Sequence, residues 1–469
     1  MIFSPVLITW VLIGLAANLP AAFGGSPSVT HILVSLAGLT HSLVGFWRDG
    51  GRNITVPAIF FFATGLFVFF PGLAIALGGA GLRHGPLAML SALNYWYFTQ
   101  LALHHLVWEN RPIKDHRAVI VASPRVLRWA QVVGVMLAAT GTAASVTGVG
   151  EQLLASGVAF TGVVLLSTAT FAAPSRVSPA GYVLVAAAGL AYAQFVFTGF
   201  GRLQLGALGL AMAITLAHRF RGRGVKALIL LTSAPALAYL ARSRVSFAAE
   251  TTSASAAQRE TGLESVFSPL IRFAELWHMN ASGGLDHSYL RTFWAALVAM
   301  VPRELWPDKP IGLGAELAMI FRPEYAAYGH SELALLSGEF LLAAGLVGLL
   351  VMPVALAWLV LRLDRMLSGS SASGFDTRGH LLQAVAVVIL SASIVDLVWG
   401  GTFAYSSRVG PRLLVVGVLF VAFAWHRGSH EPTAMAAVAP RNRAGAGVGV
   451  GANRPAQLPA GGRPSTRMR

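Results

Sequence analysis

The sequence predicts an all-α polytopic membrane protein with about twelve transmembrane helices and one large outer loop between the ninth and tenth. Three observations predict it. Apolar runs long enough, or nearly so, to cross about 30 Å of hydrocarbon recur along the chain. Of 469 residues, 55% are hydrophobic and only 11% charged, with a mean hydropathy of +0.66. A soluble domain carries about 25% charged residues, so much of this surface has to face lipid. Finally, basic residues cluster after alternate apolar runs, the mark of cytoplasmic loops.

The first run, 5–23, has no positive charge before it and no clear cleavage site after it, so it reads as a span and not as a signal peptide. Runs 29–46, 56–77, 87–107, 129–149, 153–173 and 181–200 follow. Runs 203–217 and 227–240 are short. After a long interruption come 333–361, 381–398 and 413–425. Many of the 50 glycines and 23 prolines lie inside these runs, where neighbouring helices satisfy the freed backbone groups.

Arg48 and Arg52 follow the second run, and Arg111, Lys114, Arg117, Arg125 and Arg128 the fourth. Arg176 follows the sixth, Arg219, Arg221, Arg223 and Lys226 the eighth, and Arg362, Arg365 and Arg378 the tenth. Loops after runs one, three, five, seven and eleven are poor in basic residues. Both termini are therefore expected on the cytoplasmic side. The organisation that follows is spans one to nine in 1–241, an extracytoplasmic loop in 242–332, spans ten to twelve in 333–425, and a basic tail in 426–469 expected to be disordered.

The outer loop holds most of the acidic residues, and a large polar loop in a lean membrane protein is where function concentrates. Within it, 290–301 is apolar but short, as for a helix at the outer interface. The net charge of +15 does not make a nucleic-acid binder, because the basic residues lie between apolar runs and not on one soluble face. With no cysteine, disulfides and thiol chemistry are excluded. There is no Walker lysine loop, no zinc-binding histidine pair on a helix and no Asp-x-Asp pair, and no metal or cofactor is expected.

The most distinctive stretch runs from Val301 through Pro302-Arg303-Glu304-Leu305-Trp306-Pro307-Asp308-Lys309-Pro310. Its prolines make it rigid and non-helical. Arg303 and Lys309 suit phosphate oxygens, either of a substrate or of lipid headgroups beside an anchoring Trp306. Glu339 lies about two helical turns beyond Glu332, at the start of span ten, where an ionisable group is either functional or paired, for instance with Arg303. Asp396, at the outer end of span eleven, faces Arg408 and Arg412, as a site or as a structural ion pair. The cluster Gly283–Arg291 brings Asp286, His287, Tyr289 and Arg291 ahead of the amphipathic stretch, while Arg272 and His278, taken singly, read as solvated loop residues. His104 and His105 read as residues at a helix end.

The order Gly283-Gly284, Tyr289-Leu290, the amphipathic stretch, Pro302-Arg303-x-x-Trp306-Pro307-x-Lys309-Pro310, and Ser337-Gly338-Glu339 with Gly345 and Gly348 resembles the oligosaccharide repeat-unit polymerases, the Wzy-type O-antigen and capsule polymerases of bacterial envelopes. The specific part of the likeness covers about 272–348; elsewhere only span number and hydropathy agree. The resemblance implies a fold like that of the lipid-dependent multispanning glycosyltransferases in a bacterial cytoplasmic membrane. It implies that two undecaprenyl-pyrophosphate-linked glycans meet at the outer face, and that the growing chain leaves its carrier for a hydroxyl of the incoming unit. A flippase and a chain-length regulator would be its partners.

On that reading Arg303 meets the departing pyrophosphate, aided by Arg291, Arg272 and Lys309, because fixed cations stabilise charge that develops there. Glu339 is the first choice of base, then Glu332 or Asp286. Trp306, Tyr325 and Tyr328 would stack on sugars, and His287, Tyr289 and Arg408 complete the candidate surface. An O-antigen ligase differs only in its acceptor. A lipid-linked glycan flippase or transporter would place charges near the midplane, whereas here they crowd the outer side.

Overall fold

Every regular element among the described residues is a helix, the form in which a single segment satisfies its own backbone inside lipid. The computed structural model describes residues 4–78, 85–108, 123–149, 151–172, 179–197, 202–220, 223–251, 264–326, 331–372 and 377–428. Two units divide the chain, Met1–Ala424 and Trp425–Arg469. Tyr328 and residues 429–469 of the expected basic tail lie outside the described residues, while its start, 426–428, is the end of the last helix.

The nine expected spans of the first half are all helical. They are α1 (Pro5–Ala22), α2 (Pro27–Arg48), α3 (Val56–Thr64) continued through a π turn at Gly65–Phe69 into α4 (Phe70–Gly78), α5 (Gly85–Leu103) with a π turn at His104–Trp108, α6 (Pro124–Thr147), α7 (Gln152–Phe171), α8 (Pro179–Ala191), α9 (Arg202–Arg219) and α10 (Gly224–Thr251). The region expected as a loop then holds α11 (Glu264–Ala281), α12 (Arg291–Leu297), α13 (Leu313–Phe321) and α14 (Pro323–Ala326). Last come α15 (Leu335–Ala372), α16 (Arg378–Ala392) and α17 (Ile394–Gly428). Eight stretches of the described residues are long and apolar enough to cross a membrane, and Leu203–Ala217, Gly224–Tyr239 and Arg378–Ala392 are shorter apolar helices. This is a multi-pass membrane protein.

The outward faces agree. On α15, Leu346, Val347, Leu350, Val351, Val354 and Trp358 are all exposed, an apolar stripe of the kind a bilayer covers. Inside, α6 and α7 pack backbone to backbone. A Cβ at Gly162 would sit 2.3 Å from the Ala138 nitrogen, and one at Gly141 2.4 Å from the Ala159 nitrogen. Small residues permit this approach, and in lipid, where there is no hydrophobic drive between helices, close packing is what holds them together.

The two ends of the bundle differ chemically. At one, the Lys226 ammonium donates to the Asp49 carbonyl, the Val56 amide donates to Asp364 Oδ1 at 3.2 Å, and Arg378 lies over the rings of Trp129 and Phe423. Of these, Asp49, Lys226, Asp364 and Arg378 come from the basic loops after runs two, eight and ten. At the other end Met300 packs on Gly410, Phe403 on Gly312, and Lys309 lies within electrostatic reach of Glu151.

Three expectations change. The helix entering the loop does not stop at Arg242 but runs on to Thr251. The apolar run ends near Leu240, yet the continuation contains no glycine or proline to stop the helix. Arg272 and His278 are not on a solvated loop: α11 packs against α5 and α15, burying Val266, Leu270, Phe273, Ala274, Leu276 and Arg272 itself. The boundary between spans eleven and twelve also moves. The chain turns at Ser393, and 399–412, expected as a connection, is part of α17. The apolar sequence runs through Ile394 and Val395 without interruption, so hydropathy alone does not show the turn.

Candidate functional site

Two helices break near one buried carboxylate. In α15 the break falls at Ala344 (φ −151°, ψ 24°) and Gly345 (φ 59°, ψ −140°). In α17 it falls at Gly401 (φ 77°, ψ −171°). Both glycine conformations are closed to other residues at low cost. Beyond the first break the chain turns back so tightly that a Cβ at Gly348 would lie 2.0 Å from the Phe340 oxygen.

Glu339 sits between the breaks, with no exposure to solvent. The Thr402 amide, freed from intrahelical bonding by the break, donates to Oε2 at 2.5 Å, and the Thr402 hydroxyl donates to Oε1 at 2.7 Å. A carboxylate at the start of a helical segment also meets its positive dipole end. These donors offset the large cost of taking the group out of water. The ion pair with Arg303 entertained from sequence is not what holds it.

Around Glu339 the loop elements supply further polar groups. The buried Thr292 hydroxyl, from α12, lies against Glu339. Glu316, on α13, lies close enough for its charge to act on Glu339. Arg291 Nε approaches Glu316 Oε1 to 3.3 Å, with the arginine side chain 58% exposed and the glutamate 7%. Burial pushes the Glu316 carboxyl above the usual carboxylate range, against the pull of Arg291 and the adjacent Ser288. Three oxygens here are buried without an aligned hydrogen-bond partner: Ser288 Oγ, Thr292 Oγ1 and Glu316 Oε1. Each such group costs about 1–3 kcal/mol unless a ligand or water completes it. The loop is pinned by the Ser288 amide, which donates to the Leu342 carbonyl at 2.9 Å, next to Tyr289 in a left-handed conformation (φ 50°).

No protein-family model, curated protein or solved structure matches this chain.

The candidates named from sequence separate into four places. Glu339 and Arg291 share the site just described, and exposed His287 lies over the Gly345 break, 3.2 Å from where a Cβ would be. Asp286 and Tyr289 are exposed on the same loop. Arg272 forms a second, buried network: its Nη1 meets Glu275 at 2.6 Å, its Nε meets Glu332 at 3.1 Å, and Glu332 also takes Arg322 at 3.1 Å. Against the cost of burial, Glu275 and then Glu332 raise the already high proton affinity of the guanidinium, so Arg272 and Glu332 are spent within this network. Arg303 and Lys309 occupy the third place, the rigid turn. The Lys309 ammonium donates to the carbonyls of Ala299 (3.0 Å) and Val301 (2.7 Å) and so fastens the loop, while Arg303 is exposed and folds back toward the Pro307 and Lys309 carbonyls at 3.4 Å. Trp306 is half-buried there. The fourth place is the Asp396–Arg408 ion pair, with Arg412 buried nearby on Ser393 and over the Phe160 ring.

Glu316, Thr292, Thr402 and Ser288 were not singled out from the sequence. The doublet Gly400-Gly401 ahead of Thr402, deep in an apolar run, was the one available sign that a helix breaks and exposes donors there.

Proposed function

We propose that this chain joins lipid-linked oligosaccharide repeat units at the outer face of a bacterial cytoplasmic membrane, as a polymerase with twelve spans and both termini in the cytoplasm. The observation that carries the reading is the pairing of a sheltered carboxylate, Glu316, with an exposed guanidinium, Arg291. Glu339, the first choice of base from sequence, has both oxygens held by Thr402 and is sealed from solvent. The role of base therefore passes to Glu316, whose Oε1 lacks an aligned partner and whose affinity for a proton is raised. Glu339 holds the half-helix of α17 and, through Thr292, the helix that carries Arg291.

In the reaction the acceptor hydroxyl oxygen bonds to the anomeric carbon of the growing chain. The bond from that carbon to the carrier diphosphate breaks, its electron pair leaves with the diphosphate, and Glu316 takes the hydroxyl proton. Arg291, beside Glu316, meets the charge that develops on the leaving group, and the exposed Arg303 is the second cation proposed for the diphosphate, from the separate rigid turn it shares with Lys309. Undecaprenyl-pyrophosphate-linked glycans are the substrates, and a flippase and a chain-length regulator fit as partners.

The test is deletion of the gene in its host, followed by extraction of the lipid-linked glycans. A polymerase defect leaves single repeat units on the carrier, restored to long chains by the wild-type gene and not by Glu316→Gln. Long chains accumulating on the carrier would instead identify a ligase, and units held at the inner face a flippase. An unchanged glycan pool would overturn all three.

A further inference from the structure

A second polar centre lies away from the glutamate site, along one face of α2. Thr30, His31, Ser35, His41 and Ser42 are all buried there. They divide into two groups. Toward the start of α2, His31 faces the Gly72 backbone, and Ser35 Oγ lies 2.8 Å from where a Gly72 Cβ would be. Toward its end, His41 Nε2 and His104 Nδ1 are 3.0 Å apart, and the Gln100 amide donates to Ser42 Oγ (2.5 Å) and Thr64 Oγ1 (2.7 Å). From Thr30 to Ser42 the face covers about 18 Å at 1.5 Å per residue, more than half the thickness of the hydrocarbon.

Five atoms on this track are buried without a hydrogen-bond partner: Thr30 Oγ1, His31 Nε2, Ser35 Oγ, His41 Nδ1 and Gln100 Oε1. Inside a bilayer no lipid can satisfy them. Ordered water can, since a buried water serves two to four such groups. Between the two groups along α2, the Phe69 ring is seated so closely on Gly38 that a Cβ there would lie 2.2 Å from the ring. Phe69 closes the π turn Gly65–Phe69, and His104 opens the π turn His104–Trp108. Such turns interrupt the regular ladder and favour local rearrangement.

We propose that α2, with the π turns beside it, encloses a proton path in which water links His31 to His41, His41 hands protons to His104, and Phe69 is the gate. The step balances at each ring. A proton arriving at His41 Nδ1 through water makes the imidazolium, the proton on Nε2 passes to His104 Nδ1, and His104 in turn gives up its Nε2 proton to water, so that both rings end neutral with their tautomers exchanged. The titratable groups in contact with His41 are His104 and Tyr97, whose hydroxyl is engaged with the Trp10 carbonyl at 2.6 Å. Trp10 stacks on His41 with centroids 4.5 Å apart and fixes its plane.

Purified protein in liposomes loaded with a pH-sensitive dye, under an imposed potassium diffusion potential, tests this. Phe69→Ala should raise proton entry at least tenfold over wild type, and the double variant Phe69→Ala/His41→Gln should return it to the wild-type rate. His31→Gln in the Phe69→Ala background should do the same from the other half of the track. Proton entry through Phe69→Ala equal to that of protein-free vesicles overturns the proposal, as does a double variant as permeable as Phe69→Ala alone, which would be a plain leak. The readout is proton flux, so it stands or falls independently of the glycan chemistry.

Discussion

Gly401 is the residue on which the glutamate site most depends, and Gly401→Ala tests it. Two costs add. At φ 77° and ψ −171° the backbone lies in a region nearly exclusive to glycine, where another residue costs about 1–3 kcal/mol. The new Cβ would also fall 2.6 Å from Glu339 Oε2 and 3.1 Å from Leu313 Cδ2. Neither neighbour yields easily, because the carboxylate is held at both oxygens, so crowding adds about 1–3 kcal/mol. A total of about 3 kcal/mol lowers the folded-to-unfolded ratio about a hundredfold. Reversible denaturant titration of the purified protein in mixed micelles measures it. Gly417→Ala, on the same helix with nothing within 4 Å of its Cβ, should change stability by less than about 1 kcal/mol. Adding Glu339→Ala to Gly401→Ala should recover part of the loss, since the collision is with that side chain. A Gly401→Ala protein as stable as Gly417→Ala would refute the account of the break.

Elongation should fall as pH drops through the raised value of the Glu316 carboxyl, at higher pH than for an ordinary glutamate, and Glu316→Gln should lose at least a hundredfold at every pH. The stability effect has the opposite sign: a raised value favours folding at low pH and is lost as pH rises through it, so Glu316→Gln should flatten that part of the stability profile. Glu332→Ala removes the partner shared by Arg272 and Arg322 and should cost about 3–5 kcal/mol by the same titration. Arg303→Ala, at an exposed position, should leave stability within about 0.5 kcal/mol while abolishing elongation; elongation at the wild-type rate would remove Arg303 from the mechanism. Because the chain has no cysteine, single replacements report sidedness directly: Trp306→Cys should react with a membrane-impermeant maleimide on intact spheroplasts, and Arg219→Cys only after permeabilisation.

Hydropathy made the helices of the first half legible, because a helix in lipid has to present an apolar surface. What hydropathy could not show were changes of direction inside apolar sequence. The turn at Ser393 and the breaks at Gly345 and Gly401 lie in runs that read as continuous. The glycines at 345 and 348 were noted, but not that one carries the chain through a left-handed conformation. The outer segment failed for the converse reason. Arg272 and Glu275 look solvated in sequence, yet with Glu332 and Arg322 they neutralise one another and can be buried with α11. Charge marks exposure only until a partner from elsewhere in the chain cancels it. The site shows the same limit: Glu339 was readable as an ionisable group at the head of a span, but its partner Thr402 lies 63 residues away in sequence.

The two polar centres balance the cost of burial in different ways, and that difference separates their roles. Glu339 is satisfied by the Thr402 hydroxyl and by an amide that the break in α17 frees, so hydrogen bonds at both oxygens fix its position and it suits a scaffold that must hold Arg291 and Glu316 still. The track along α2 leaves five atoms without protein partners. Water that completes them can exchange and reorient, and a histidine pair 3.0 Å apart can trade a proton without either ring moving far. Rigidity belongs where a glycosidic bond has to be aligned, and replaceable hydrogen bonds belong where a proton has to pass. A preorganised carboxylate and a hydrated histidine file within one bundle are therefore two devices. Substitutions at Gly401 should leave proton flux through Phe69→Ala intact, because the break and the track share no residue.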